Sequence, residues 1–355
     1  MSVQTEITRL ENAKTALAAA IAGKGVTVPE GTKMDGMAAL VSQISGKAKL
    51  QGISISTPPT KTEYEADQSF DPSGMVVSAD LGEGVAVTVS GYTWTPATFS
   101  ASDTTVTISF TLDGITKTAQ QAVTVTAVSG VLADNDFATI AKVSAKGKAS
   151  ETWSVGDTMP VTINGASYTA TIVAFNHHAL HADDPNFDNS DYNGGTNKAG
   201  ITFMFTDLYG TPYRMNSSSV NAGGWNSSYM RTSTMPIIKA AMPAQLQQAL
   251  RTVSIPTGAG GSSTSIVNSA DQLFLPSEAE IASGRVYSVA GEGSRLPYFT
   301  AGNSRVLKCN GTAQAWWLRS PHSSYSANFI AMTDSGAFSY YGASNEHYVA
   351  ACFCI

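Results

Sequence analysis

Cysteine is scarce in this chain: three in 355 residues, at 309, 352 and 354. Three thiols cannot build a disulfide framework, and they fit synthesis in a reducing cytoplasm. Charge is scarce too. Asp, Glu, Lys and Arg make up 14% of the residues, against the ~25% of an average globular chain. The net charge is -6 and no basic stripe is present, which argues against nucleic-acid binding. No apolar run approaches the ~18 residues of a membrane span, so no membrane insertion is expected. The opening MSVQTEITRL lacks the basic and apolar segments of a secretory leader. Gly-x-Ser-x-Gly, a Cys/His/Asn order and a glycine-rich phosphate loop are all missing. A non-enzymatic protein without a cofactor is therefore expected. What is present is 43% hydrophobic residues over a length that suits two or three domains.

Residues 1–47 read as a helical segment. Val3, Ile7, Leu10, Lys14, Leu17 and Ile21 recur at alternating spacings of four and three. That is an a/d seam broken only by Lys14. Gly23-Lys24-Gly25 ends the first helix. Met34–Ile44 is a second helical candidate, closed by Gly46. Three heptads are too few for an isolated coiled coil. Such a segment either packs as a hairpin on a neighbour or oligomerises. LENAKTALAAAIAGKGV and MDGMAALVSQI resemble the amino-terminal stretches of phage tail and baseplate-associated proteins.

Residues 51–128 contain no helical pattern. Alternating runs at Ile53–Ser56, Met75–Ala79, Val85–Ser90, Val106–Leu112 and Ala122–Val125 are separated by turn residues. Asp113-Gly114 is a strong hairpin signal. Short strands with regular turns predict an all-β sandwich. Tyr64, Phe70-Asp71, Ser73-Gly74-Met75-Val76-Val77 and Val123-Thr124-Val125 resemble bacterial immunoglobulin-like domains. The resemblance implies a spacer.

Residues 136–355 form a third, α+β unit. Strands are expected at Trp153–Val155, Met159–Ile163, Ala166–Phe175 and Gly200–Phe205. A helix is expected over 226–250, interrupted by Pro236 and Pro243. Residues 256–265, rich in Gly, Ser and Thr, read as a mobile loop. Ser277 is placed to cap a helix at 278–282. His177 and His181 have the helical zinc spacing, but His178 stands where a metalloprotease has Glu; loop histidines are the simpler reading. Asn189, Asp191, Asn193 and Gly194 imitate half of a calcium loop, yet Gly200 takes the twelfth position. Turn chemistry explains the same residues, and a calcium or sodium site stays open. Cys352 and Cys354 point to one side of a terminal strand, which favours burial over a disulfide.

From His322 to Tyr348 the chain reads HSSYSANFIAMTDSGAFSYYGASNEHY. It has no Lys, Arg or Gln, and it has the composition of a paratope: Tyr for contact area, small polar residues for hydrogen bonds. Around it stand Lys198–Phe203, Tyr213-Arg214-Met215-Asn216, Gly223-Gly224-Trp225-Asn226 with Met230-Arg231, Asp271–Ser277, Trp316-Trp317-Leu318-Arg319-Ser320-Pro321 and the closing Phe353-Cys354-Ile355. Together these resemble the C-type-lectin-fold variable proteins targeted by diversity-generating retroelements in phages and bacteria. Where that family ends with Arg-Pro before the last strand, this chain has Ala350-Ala351. In that family adenine-directed mutagenesis of AAY codons yields Tyr, Ser, His, Phe, Ala, Asp or Asn. Met332 and Glu346 fall outside that set and are expected to be fixed. Arg319 is expected to bind a backbone or carboxylate partner rather than the ligand.

The expected ligand-facing residues are His322, Ser324, Tyr325, Asn328, Phe329, Ser339, Tyr340, Tyr341, Ser344, Asn345, His347 and Tyr348. The reading is a multidomain phage receptor-binding or tail adhesin in the virion, a homotrimer. It would attach to other tail proteins through its helices and grip a host cell-surface protein or glycan through a hypervariable face. The alternatives are a fixed structural decoration protein, and an oxidase resembling formylglycine-generating enzymes, which would work through cysteines.

Overall fold

The computed structural model describes residues 3–44, 49–66, 68–82 and 84–355. The chain divides into two compact units, Met1–Ala127 and Val128–Ile355. Small β-sheets dominate, with a few helices.

In the first unit, α1 (Val3–Ala22) and α2 (Met34–Val41) form a helical pair. Its core is small: Ile21, Val26 and Met37 are buried, with Leu17 and Leu40 packed against them. The seam is thus used only at its carboxy end, while Val3, Ile7 and Leu10 stay exposed. Gly46, the expected stop, lies outside the described residues.

Eight strands follow: β1 (Gly52–Thr57), β2 (Glu63–Glu65), β3 (Val76–Asp80), β4 (Ala86–Val89), β5 (Thr93–Thr95), β6 (Thr105–Leu112), β7 (Ile115–Ala122) and β8 (Thr124–Thr126). They pair as β1-β3-β4, β5-β6-β7 and a parallel β2-β8. Val77 from the first sheet and Val106 and Ile108 from the second meet in one core with Tyr64, Phe70 and Phe99. Asp113 and Gly114 both take positive φ, 48° and 80°. That is the two-residue turn whose twist matches the flanking strands of the β6–β7 hairpin.

The second unit starts earlier than position 136. Leu132 is in its core, and the Trp153 indole N–H reaches back to the Ser129 carbonyl at 3.1 Å. Its helices are α3 (Phe137–Ala145), α4 (Ala149–Thr152), α5 (Gly224–Ser227), α6 (Met235–Ala240), α7 (Ala244–Ala249), α8 (Glu278–Ile281) and α9 (Pro297–Thr300). Its strands are β9 (Thr158–Ile163), β10 (Ala166–Phe175), β11 (Ile201–Phe205), β12 (Tyr213–Arg214), β13 (Val253–Gly258), β14 (Ile266–Asp271), β15 (Leu273–Phe274), β16 (Lys308–Cys309), β17 (Thr312–Ala313), β18 (Trp316–Pro321), β19 (Asn328–Met332), β20 (Phe338–Gly342), β21 (Glu346–His347) and β22 (Cys352–Cys354).

A five-stranded sheet runs β15-β22-β11-β10-β9. β11 is ITFMF, apolar on both faces and buried throughout, as an interior strand must be. β9 alternates exposed and buried positions, as a half-solvated edge does. The carboxy-terminal β22 inserts between β15 and β11, and the Ala350-Ala351 that leads into it is buried. A separate sheet, β18-β19-β20, carries the terminal hairpin.

Three expectations are corrected. Trp153–Val155 is not a strand; it follows α4, and Trp153 turns into the core. The helix over 226–250 is broken into short pieces. Pro236 follows a π-helical turn, Met230–Thr234, that runs straight into α6, and Pro243 sits immediately before α7, a place proline tolerates. Residues 256–258 belong to β13, paired with β14, and the glycines beyond serve close packing. A Cβ at Gly260 would lie 1.8 Å from the Asn221 carbonyl oxygen.

Candidate ligand-binding face

The site is built on a buried polar frame. Ser277 caps α8 with a reciprocal capping box, its hydroxyl accepting from the Glu280 amide and the Glu280 carboxylate accepting from the Ser277 amide. This turn carries two buried glutamates in opposite directions. Glu280 takes Arg319 of β18 in a bidentate pair, 2.6 and 2.7 Å. Glu278 accepts the backbone N–H groups of Val286, Tyr287 and Ser288 at 2.7–3.1 Å. A third, Glu292, accepts from Gly258 N at 2.7 Å and from the Ser320 hydroxyl. Burial alone would raise the Glu280 pKa, but Arg319 outweighs it and holds the carboxyl well below the usual range. Burial likewise opposes the charge on Arg319, and Glu280 overcomes it. Glu292 has no such cation of its own, and burial pushes it up to about 7.

On this frame lies the loop joining β18 to β19. Asn221 is buried and organises it. Its amide nitrogen Nδ2 donates to the carbonyls of Asn328 at 2.7 Å and Tyr325 at 3.1 Å. Its backbone N–H donates to Ser326 O at 2.7 Å, and its Oδ1 accepts from Gly261 N. His322 works from the other side: its Nδ1 accepts the N–H groups of Ser324 and Tyr325 at 3.0 and 3.1 Å. That fixes the tautomer with the proton on Nε2. Burial lowers its pKa further, so the ring is neutral.

The result is a group of four rings. His322 lies 4.4 Å from Tyr325 and 4.7 Å from Tyr340, centroid to centroid. Tyr287, held by Glu278, completes it at 5.5 Å from His322 and 5.2 Å from Tyr340. Tyr325 is 52% exposed and Tyr340 36%. Tyr287 lies outside the stretch that composition marked out; a lone tyrosine 35 residues upstream carries no local signal.

The twelve expected residues do not share one face. Tyr340 and Tyr341 are successive in β20 and point to opposite sides of the sheet. Tyr341 and His347 form a second cluster, 4.2 Å apart, with His347 4.7 Å from Trp317. Phe329 is fully buried. As a core residue opposite Tyr341 in the hairpin, it cannot meet a ligand. His322 is buried as well and acts as the floor of the face. Ser324 and Asn345 are exposed, Asn328 and Ser339 half-buried, and Ser344 is exposed but hydrogen-bonded to Ser219 at 2.7 Å. Tyr348 is half-buried, and its backbone laces β18 through Trp317 N and Ala315 O.

Residues 199–355 match a domain of unknown function, DUF6273. The match covers the frame and both aromatic clusters. It leaves out the first unit and residues 128–198. No protein with a curated description matches the chain.

The histidines lie in a loop after β10, as the simpler reading expects, and His177 and His181 are not on a helix. His177, His178 and Glu280 gather their ligand atoms within 4.8 Å. The donor set does not suit a metal. Glu280 Oε1 is shared by Arg319 and by His178 at 3.2 Å, and Oε2 by Arg319 and Ser277 N. A cation would have to displace a guanidinium. The calcium-like loop spends its side chains on turns: Asp184 accepts from Asn186 N and Thr252 N, Asn189 from Asp191 N, and Asn193 bonds Asn176, Thr196 and Lys198. Cys309, Cys352 and Cys354 are all buried. Burial pushes Cys354 up to about 12 and raises Cys352 well above an ordinary thiol, so neither is a thiolate nucleophile at neutral pH.

Proposed function

We propose that this chain is a phage receptor-binding adhesin. Its second unit is a C-type-lectin-like domain that grips a host-surface ligand, the β-rich part of the first unit is an immunoglobulin-like spacer, and the helical pair joins three copies and attaches them to the virion. One observation carries the reading: an aromatic group around His322, with Tyr325 and Tyr340 exposed and Tyr287 half-buried, stands on a buried frame built from other residues. Exposed tyrosines on a rigid base are poor choices unless they bind. The frame is fastened by Arg319, three glutamates and Asn221, none of which reaches the surface. Loop side chains other than His322, whose ring holds Ser324 and Tyr325, can therefore change without loosening it. Several copies on one particle would turn modest affinities into firm attachment by effective concentration.

The test replaces Tyr325 and Tyr340 together by Ala in the full chain and measures adsorption to a panel of bacterial hosts. Loss of adsorption on the strains bound by the native chain is the expected result. Unchanged adsorption would overturn the assignment of the face.

A further inference from the structure

A cleft of about 360 Å³ is lined by Arg295 and Arg305 together with Ser283, Asn303, Ser304 and Ser335. No Asp or Glu lines it; Asp334, beside Ser335 in the same turn, is not part of its wall. Among the described residues neither arginine has a carboxylate within ion-pair distance. In a chain of net charge -6, two cations share one carboxylate-free cleft. A cleft with two cations and no carboxylate suits an anion.

Both arginines are held. Arg295 Nη2 donates to the Phe299 carbonyl at 2.6 Å, while its Nε is buried with no acceptor in the protein. The protein therefore satisfies the Arg295 guanidinium only in part. The Arg305 guanidinium lies over the Phe338 ring at 5.2 Å. Stacking on a ring face leaves a guanidinium's edge N–H groups free to grip a planar carboxylate. The rest of the wall mixes three hydroxyls and an amide with Phe299, Val306 and two glycines, polar groups for sugar hydroxyls beside apolar surface for a ring face.

The cleft adjoins the aromatic group. Phe338 and Tyr340 are alternate residues of β20, so they share a face roughly 7 Å apart. Ser283 of the cleft and Tyr287 of the aromatic group stand in one segment, anchored at 286–288 by Glu278. One extended ligand could touch both.

We infer that this cleft is an acidic-sugar subsite, taking the carboxylate of a uronic-acid unit in a polyanionic glycan whose next sugar lies over the tyrosines. It rests on the reading of the aromatic group as a ligand-binding face and names the ligand class. Calorimetry on the full chain with oligogalacturonate, oligoglucuronate, neutral dextran oligomers and inorganic phosphate tests it. Binding of a uronate oligomer that falls at least tenfold in R295Q and in R305Q, and weakens with salt, is expected. Ser304→Asp is the second variant. Ser304 Oγ accepts from Val306 N at 3.1 Å, a turn bond that Asp also makes, so the fold is kept while a carboxylate enters the cleft. S304D should abolish uronate binding. Binding of phosphate without either uronate, equal binding of dextran, or wild-type affinity in S304D overturns the inference. If adsorption to host cells falls in the tyrosine double variant but not in R305Q or S304D, the subsite fails while the adhesin reading stands. If uronate binding holds but the tyrosine variant adsorbs normally, the adhesin reading fails and the subsite stands.

Discussion

Arg319 and Glu280 face each other with both ends of the guanidinium on both carboxylate oxygens, and neither side chain is more than 1% exposed. The pair ties β18 to the capped turn of α8, and Arg319 also donates to the carbonyls of Leu275 and Glu292 at 2.9 Å. Removing one partner strands the other charge in a dry interior. R319A is expected to destabilise the second unit by ~3–5 kcal/mol. Urea unfolding of the full chain followed by tryptophan fluorescence measures this, since Trp225, Trp316 and Trp317 all lie in that unit's core. A loss under about 1 kcal/mol would mean that the pair is not the fastening of the frame.

Phe329 and Tyr325 belong to the same compositional stretch but to different parts of the molecule. Phe329→Ala opens a cavity in a closed core and should cost ~3–5 kcal/mol. Tyr325→Ala trims an exposed ring and should change stability by less than about 1 kcal/mol. Paired melts read the difference. Equal losses would place Tyr325 in the core.

How far these parts could be read beforehand follows from which signals are local. Asp113-Gly114, the alternation in β9, the apolar β11 and the Ser277 cap are written within a few neighbouring residues, and all stand in the structure where the sequence put them. Arg319 was legible as a framework residue because it sits inside a buried Trp-Trp-Leu strand. Its partner, 39 positions away, was not. Composition could mark 322–348 as unusual, yet it could not choose sides of a strand, so Tyr340 and Tyr341 were grouped together. Tyr287 and Asn221 enter the face through tertiary contacts alone, and nothing near either residue announces them. The histidine spacing is no zinc signal here, because i and i+4 are neighbours only on a helix, and this segment is the loop that the simpler reading expects.

Asn221 lies about a hundred residues before the loop it holds, and its amide supplies bonds to two or more of the loop's carbonyls. N221L keeps the side-chain shape, loses the Nδ2 donors and adds no buried charge. Each buried carbonyl left without its donor costs ~1–3 kcal/mol locally. The expected outcome is faster amide exchange at 324–328 and weaker adsorption, with the melting transition of the unit intact. Unaltered exchange at those amides would show that the loop holds itself.

The exposed half of the α1 seam makes a separate prediction. Val3 is 79% exposed, Ile7 43% and Leu10 51%, at the spacing of a coiled-coil interface. Sedimentation equilibrium of the full chain should give a trimer, and the double change Ile7→Asp with Leu10→Asp should give monomers. A native monomer at micromolar concentration, or a trimer in the variant, would rule out this helix as the joint.

Glu292 sets how the frame answers to pH. Burial raises its carboxyl from 4.5 to about 7, against the downward pull of its bonds from Ser320 and Gly258 N. A carboxyl whose folded pKa lies above its unfolded one favours the folded state while it is protonated. That contribution is complete below about pH 4.5 and is lost as pH rises through 7. The difference corresponds to at most ~3 kcal/mol. Glu280 works in the opposite sense: its lowered pKa stabilises above the ordinary glutamate range, and that contribution is lost on acidification below it. His177 opposes Glu292: burial pushes its pKa from 6.5 down to about 4, so its contribution is gained as pH rises toward 6.5, and the two offset one another between about pH 4.5 and 6.5. E292Q keeps an acceptor for Gly258 N and carries no charge, so its unfolding midpoint should rise relative to the native chain's as pH goes from 5 to 7.5. An identical pH dependence in the native chain and in E292Q would show that Glu292 does not contribute.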